Sequence, residues 1–290
     1  MQLRQLHWNF LNEMKLLYDD HEASVITSMV FESVLGMTNI DLISKGTTVV
    51  NSDSQSAIDM ALEKLNQHIP VQYVTGTAWF YGLTFIVKPA VLIPRPETEE
   101  LVSMAINFCE KENKKSLIDI GTGSGCIPIS IKTNLPHLNV SALDVSCDAL
   151  YIAKENAKKH AVEIDWLEVD FLDESSWQNL SMYDVIVSNP PYIPLEEKAE
   201  MDKNVTAHEP HLALFVPDER PLIFYEKIAL FGKNHLAIGG AIFLETHEKY
   251  AGKVAALFNQ NGYDTFIQKD FYEKERMVTA TRSRSQLQKL

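Results

Sequence analysis

Ser116-Leu117-Ile118-Asp119-Ile120-Gly121-Thr122-Gly123-Ser124-Gly125 decides the fold of this chain. An apolar run of strand length breaks into alternate glycines and leads at once into a helical stretch. Glycines at a strand end let the backbone turn sharply and approach a ligand, while the following helix N-terminus offers unpaired N–H groups. Further apolar strand candidates lie at 140–145, 164–169, 183–188, 240–245, 263–268 and 277–281, with helical stretches between the early ones. That alternation predicts an α/β fold with a mainly parallel, doubly wound sheet. The connection 269–276 is too short for a crossover helix, so the last two strands pair antiparallel at one edge.

Upstream the texture differs. Leu3, Leu6, Phe10, Leu11, Met14 and Leu17, then Val25, Ile26, Met29, Val30, Val34 and Leu35, recur at helical spacing and predict a small bundle. Its last helix is expected to start near Asp53 as N-cap, to carry Ile58, Ala61, Leu62 and Leu65 on one face, and to end at Ile69-Pro70. Trp79-Phe80-Tyr81-Gly82-Leu83-Thr84-Phe85-Ile86-Val87 then reads as a β-hairpin around a central glycine, where the domain junction falls. The expected organisation is a helical bundle over 1–75, a hairpin linker over 76–97 and the α/β domain over 98–290. Residues 282–290 read as a frayed tail.

With 290 residues and 46% hydrophobic content, the chain can build two cores. The formal net charge of −13 argues against tight binding to a phosphate backbone, which needs a basic surface to release counterions. Both parts are acidic, at −5 for residues 1–75 and −8 for the remainder, so neither is a basic nucleic-acid module. Cys109, Cys126 and Cys147 lack C-x-x-C spacing and the nine His residues form no H-E-x-x-H cluster, so no disulfide framework or metal site is expected. No signal peptide or run of roughly 20 apolar residues is visible, which makes the cytoplasm the expected location.

The chemistry gathers at strand ends. A dinucleotide fingerprint needs G-x-G-x-x-G, whereas Gly121, Gly123 and Gly125 follow G-x-G-x-G with Cys126 at the third glycine's place, so adenosylmethionine fits better than NAD. Asp144, after the second strand, can accept from both ribose hydroxyls; an Asp there also serves as an ordinary helix cap. Asp170-Phe171, after the third, can bond the adenine amino group and cover its face, although an Asp-Phe pair at a strand end is also a common turn. Asn189-Pro190-Pro191-Tyr192 closes the fourth. Neither proline can donate or continue the sheet, which leaves the Asn189 amide oxygen and the Pro190 carbonyl as free acceptors beside an aromatic ring. Two acceptors and a ring make a cradle for a planar –NH2 group, whether adenine, cytosine or an amide. All four strand ends fall on the carboxyl edge of a parallel sheet, where open α/β folds bind ligands.

With those residues in place the chain resembles the HemK/PrmC family, the protein-(glutamine-N(5)) methyltransferases that modify peptide chain release factors using S-adenosylmethionine. The resemblance covers nearly the whole chain. It is carried by Pro70-Val-Gln-Tyr-Val-Thr-Gly76, by Phe80, Gly82-Leu83 and Phe85, and by Val91-Leu-Ile-Pro-Arg-Pro-Glu-Thr-Glu-Glu-Leu-Val102. The stretches 119–125 and 189–192, Glu209-Pro210 and Ala213-Leu214 also match. Arg220-Pro221 stands where the family usually has a glycine pair, and Glu245-Thr-His247-Glu replaces the usual Glu-x-Gly with a later Gln.

The resemblance implies a Rossmann-like S-adenosylmethionine-dependent methyltransferase domain with a seven-stranded mixed sheet, its last strand antiparallel, behind a helical domain for release-factor recognition. Implied cofactor contacts are Asp119, Gly121, Thr122, Gly123, Gly125, Asp144, Asp170, Phe171 and Asn189, with S-adenosylhomocysteine as product. Substrate contacts are implied at Asn189, Pro190, Pro191 and Tyr192. The catalytic set is Asn189, Pro190 and Tyr192: the first two take the amide hydrogens and Tyr192 packs on the amide plane. The expected partner is a release factor, the target the glutamine of its GGQ motif, with no direct nucleic-acid or membrane partner, and the chain is expected to be a monomer. Arg95, Glu97 and Glu100 read either as a salt-bridged hinge or as part of a roof over the cofactor. The stretch 193–219 has little periodicity and reads as a substrate loop that orders when the partner docks.

Overall fold

The computed structural model describes residues 1–282, except for the side chain of Asn39. The expected tail therefore lies outside the described residues, apart from Arg282. That residue belongs to the final strand, and its guanidinium donates to the Gly232 and Lys233 carbonyls at 3.1 and 2.8 Å. Two compact units divide the chain: Met1–Thr77 with Asp202–His208, and Ala78–Met201 with the chain from Glu209 onward.

The first unit contains α1 (Leu3–Met14), α2 (Asp20–Leu35), α3 (Asn39–Ser44), α4 (Ser52–Asn66) and α5 (Val71–Thr75). Its core comes from Leu3, Leu6, Phe10 and Met14 of α1, Ala23, Ile26, Val30 and Phe31 of α2, and Ile58, Ala61 and Leu65 of α4. These are the three- and four-residue spacings of buried helix faces. Leu17 and Val25 depart from expectation and face solvent. The N-cap of α4 is Asn51, whose side chain accepts from the Ser54 N–H at 2.8 Å, while Asp53 lies in the first turn, where its charge meets the helix dipole. The single-turn α5, between Pro70 and Gly76, is too short to leave a periodic signal.

The second unit opens on the paired strands β1 (Thr77–Phe80) and β2 (Leu83–Ile86). Tyr81 and Gly82 between them both have positive φ, at 51° and 74°, the signature of a type I′ turn. There follow α6 (Thr98–Lys111), β3 (Ser116–Ile120), α7 (Cys126–Asn134), β4 (Asn139–Asp144), α8 (Cys147–Lys159), β5 (Asp165–Glu168), β6 (Tyr183–Ser188), β7 (Ile193–Pro194), α9 (Lys203–His208), α10 (His211–Leu214), β8 (Phe215–Val216), α11 (Ile223–His235), β9 (Leu236–Glu245), α12 (Ala251–Gln260), β10 (Tyr263–Lys269) and β11 (Glu275–Arg282). Of these, α9 falls in the helical unit.

The sheet is seven-stranded with order β10-β11-β9-β6-β3-β4-β5. Only β11 runs against its neighbours, pairing antiparallel with both β10 and β9. The expected edge pair is thus present, with the last strand inserted between β10 and β9. Alternation along the strands makes two cores. Leu117, Val185, Val187 and Phe243 face α6, α7 and α8, while Ile118, Ile120, Ile186, Ile242 and Leu244 face α11 and α12. The strand order reverses at β3 and β6, which pair in parallel while their successors lie on opposite sides, and this opens a crevice at their carboxyl ends.

The expected hairpin packs on the α/β domain, with Phe80 and Phe85 buried in the α6–α8 core. Asn156 of α8 also clamps it: its amide oxygen accepts from the Ile86 N–H at 2.6 Å, and its amide nitrogen donates to the Ile86 and Ser124 carbonyls at 3.0 and 2.9 Å. Asn156→Ala strands three backbone groups, so urea unfolding should show a loss of about 2–4 kcal/mol. One expectation needs correcting: the stretch 193–219, read as a loop that orders when the partner docks, carries secondary structure without a partner. β7 and β8 pair in parallel there, and a 3₁₀ turn with α9 and α10 fills the interval, in pieces too short for a period to show.

Candidate active site

A cavity of about 400 Å³ sits at the carboxyl edge of the sheet. Each wall is one strand end. Gly121, Thr122 and Gly123 follow β3; Asp144, Val145 and Ser146 close β4; Asp170, Phe171 and Leu172 follow β5; Asn189, Pro190 and Pro191 follow β6. The four motifs that the sequence separates by as many as 70 residues thus meet at one edge.

Gly121 and Gly123 carry positive φ, and a Cβ added at either would meet nothing within 4 Å. Their missing side chains leave open space on the cavity wall, in which a ligand can lie on the backbone. The Gly123 N–H donates to Asp144 Oδ2 at 2.8 Å and the Ser146 N–H to Oδ1 at 2.9 Å, so the carboxylate holds the glycine loop. A carboxylate has about four acceptor sites, which leaves both oxygens able to take a hydroxyl as well. Burial raises the Asp144 pKa, opposed by the Ser146 and Gly123 N–H groups.

Asp170 stands exposed at the rim with Oδ1 accepting from the Leu172 N–H, whereas Phe171 is buried against Trp177 and Phe231, with ring centroids 5.2 and 5.4 Å away. Phe171 therefore both lines the cavity and belongs to the core. Gly125 lies outside the lining. A Cβ there would press on Ile129, Ala153 and Trp166 at 3.0–3.1 Å, so this glycine lets α7 pack closely.

Asp119 is also outside, since it shares the Leu117 face of β3 and is fully buried. Neither of its oxygens has a hydrogen bond of good geometry; the Thr122 hydroxyl is near enough to favour the charge without completing one. Burial pushes its pKa up to about 7, and the Asp144 charge adds to the rise. The folded state thus holds a proton that the unfolded chain has lost at an ordinary carboxylate pKa. Stability from this group is present at low pH and falls as pH rises from about 4 to about 7, by on the order of 4 kcal/mol. In Asp119→Asn the slope of unfolding free energy against pH should flatten over that window.

The Asn189 side chain is anchored from behind. Its Nδ2 donates to Thr98 Oγ1 at 3.1 Å, and the Thr98 hydroxyl donates to Glu245 Oε2 at 2.7 Å. No described residue donates to Asn189 Oδ1, which is left on the cavity side. Tyr192 is half-buried, and its ring does not line the cavity. Its hydroxyl points to Glu245 Oε1 at 3.4 Å, and the His247 ring meets it edge-on at 6.0 Å. Burial and the Glu245 charge raise the Tyr192 pKa, so it stays a phenol.

Beside the strand ends, Ala90, Val91, Leu92, Pro94, Arg95 and Thr98 also line the cavity. Arg95 is ion-paired within its own unit. Arg95 bonds Glu209 Oε1 at 2.6 Å, the Ile93 N–H bonds Oε2 at 3.1 Å, and Glu209 is buried. Glu100 accepts from the Phe271 N–H at 2.6 Å. The residues that sequence reasoning missed are Thr98 and Glu245 as partners of Asn189. One signal was available: Glu245 is a lone acid closing the otherwise apolar run Gly240-Ala-Ile-Phe-Leu244.

Residues 12–76 match the PrmC N-terminal domain and residues 101–208 the methyltransferase small domain. The release factor glutamine methyltransferase of Bacteroides thetaiotaomicron is 39% identical over 92% of this chain and 95% of its own length. This chain belongs to the HemK/PrmC family. The release factor glutamine methyltransferase of Streptococcus pneumoniae is 38% identical over 96% of this chain and 98% of its own. Among solved structures, the T. thermophilus 16S rRNA N2 G1207 methyltransferase in complex with AdoMet and guanosine has a TM-score of 0.52 and 16% identity. It covers 71% of this chain and 49% of its own length, a likeness of fold. The open glycine cradle and the spare acceptors of Asp144 fit the S-adenosylmethionine on which this family depends.

Proposed function

We propose that this chain methylates the side-chain amide nitrogen of a glutamine in a peptide chain release factor, the glutamine of the GGQ motif, with S-adenosylmethionine as donor. The observation that carries this reading is Asn189: it lines a cofactor-sized cavity, its NH2 is held by Thr98, and no described residue donates to its Oδ1. S-adenosylmethionine, when bound, supplies an electrophilic methyl on a sulfonium. Gly121, Thr122, Gly123, Asp144, Asp170 and Phe171 hold it, with Asp119 and Gly125 supporting the loop from beneath.

An amide nitrogen is a poor nucleophile because its lone pair is delocalised into the carbonyl. Asn189 Oδ1 and the Pro190 carbonyl accept its two hydrogens and orient it; such preorganised acceptors act where the nitrogen gains positive charge. Pro191 lines the slot beside the amide plane, and Tyr192 stands behind it with its hydroxyl on Glu245. The nitrogen would take the methyl as the sulfur leaves as the thioether of S-adenosylhomocysteine, and the nitrogen's proton, acidic once the bond forms, would pass to solvent, so a strong general base is unnecessary. Mostly apolar walls exclude water from the slot.

The helical unit around 1–75 is the release-factor docking module, and its acidic surface complements a partly basic partner. The chain works as a monomer in the cytoplasm, without direct contact to nucleic acid; among the described residues no helix is long and apolar enough to cross a membrane. Incubation with methyl-labelled S-adenosylmethionine and, separately, release factor, duplex DNA or no substrate should place label on one release-factor glutamine by mass spectrometry. Label on DNA, for which the same –NH2 cradle would suit a flipped base, overturns the reading.

A further inference from the structure

Thr98 holds the Asn189 NH2, and Glu245 beyond it has no part yet in the methyl-transfer site. We infer that they form a positioning relay: the ionised Glu245 carboxylate sets the Thr98 hydroxyl, and that hydroxyl fixes which way the Asn189 amide points. The inference rests on the function proposed above, and it names what holds Asn189 in its working orientation.

A hydroxyl has one proton and two lone pairs. Thr98, at the first turn of α6, is buried, and both of its neighbours lie in bonding range: Glu245 Oε2 at 2.7 Å and Asn189 Nδ2 at 3.1 Å. An ionised carboxylate only accepts, so the one Thr98 proton goes to Glu245. Thr98 can then only accept from Asn189, which turns the Asn189 NH2 toward the wall and its oxygen toward the cavity. With Glu245 protonated the logic reverses. The carboxyl group can donate to Thr98, and the Thr98 proton becomes free for Asn189 Oδ1. The amide then turns over and presents donors where an incoming –NH2 group needs an acceptor.

Glu245 is placed to titrate in the working range. It ends β9 fully buried, and burial pushes its pKa up to about 7. The Thr98 hydroxyl, the Arg276 charge on β11 and the Tyr192 hydroxyl pull it down, while Glu97 before α6 pushes it up. From α11, Tyr225 donates to the Glu245 backbone carbonyl at 3.0 Å rather than to the carboxylate. The same carboxylate accepts from Tyr192, so one buried charge steadies two residues of the Asn-Pro-Pro-Tyr motif.

The test uses the full-length chain in four forms: parent, Thr98→Val, Thr98→Ser and Glu245→Gln. With release factor as substrate, the parent kcat should fall below pH about 7 along a one-proton limb. Glu245→Gln should lack that limb, because a glutamine oxygen accepts from Thr98 at every pH. Asp119 titrates in the same range and is intact in Glu245→Gln, so this comparison isolates Glu245. Thr98→Val should lose kcat by about 30-fold with cofactor Kd within about twofold, and Thr98→Ser should recover kcat to within about fivefold of parent.

A readout independent of turnover is the side-chain amide resonance of ¹⁵N-labelled Asn189, assigned by its loss in Asn189→Ala. It should shift with pH through about 7 in the parent and stay still in Glu245→Gln. A parent that methylates no release factor overturns the functional reading, and the Asn189 titration then still decides the relay. An acid limb and a titrating Asn189 that persist in Glu245→Gln, or Thr98→Val within about threefold of parent, overturn the relay.

Discussion

Asn189→Ala lowers turnover by about two to four orders of magnitude while cofactor affinity changes by less than about tenfold. The asymmetry follows from where the side chain points. Its nitrogen is spent on Thr98, and its oxygen is the free acceptor on the cavity side. Removing that oxygen leaves one hydrogen of the incoming amide without a preorganised partner as positive charge builds on nitrogen. The cofactor keeps the glycine loop, Asp144 and the β5 end, so its binding is largely spared. Single-turnover transfer of labelled methyl, with Kd measured by calorimetry, separates the two effects. Turnover within tenfold of the parent would sink the role given to Asn189.

Asp144→Ala should act in the opposite sense. Cofactor affinity should fall by about 10²–10³-fold, because the substitution removes two ligand acceptors in a partly buried site. It also frees the Gly123 and Ser146 N–H groups that the carboxylate holds at 2.8 and 2.9 Å, so the loop loses its shape together with its ligand contact. A fall in thermal stability of the cofactor-free protein should accompany the lost affinity, worth about 1–3 kcal/mol for a buried hydrogen-bonded charge. Saturating cofactor should restore much of kcat, which distinguishes this variant from Asn189→Ala. If Asp144→Ala bound S-adenosylmethionine within threefold of the parent, the carboxylate would be a loop brace alone.

The two substitutions divide the cavity. In the proposed mechanism Asp144 would serve binding, through acceptors present before and after the reaction, while Asn189 would serve the transition state, through an acceptor whose value grows as the N–H bonds polarise. The Thr122 and Ser124 hydroxyls, buried beside the glycine loop, and Asp119 beneath it make no hydrogen bond of good geometry. A ligand-stabilised site tolerates such under-satisfied groups beneath a binding loop, and Asp119 among them is the source of the pH slope expected for the cofactor-free protein.

The sheet was legible because its signals are local. A strand such as Tyr183–Ser188 is a short apolar run ended by two prolines, and β3 ends in glycines; each boundary is set by what those residues can do with their own backbone. The bundle was legible in its faces and less so in its ends: Asn51 and Asp53 are both good caps, and the chain uses the earlier one. Short elements such as α5 and the β7–β8 pair carry too few residues for periodicity, and their neighbours fix them.

The sequence by itself determined the strand-end chemistry: an alternating glycine loop, an acid, an Asp-Phe pair and an Asn-Pro-Pro-Tyr run, each with a capacity that its residue types dictate. Tertiary structure alone decided which of those residues share a wall. Asp119 and Ile120 are adjacent in the chain and face opposite sides of a pleated strand, so only Ile120 reaches the cavity, while Asn189 and Glu245 are 56 residues apart and share one hydroxyl. Side-chain alternation and strand order settle such placements, and strand order depends on contacts between segments that no local pattern encodes.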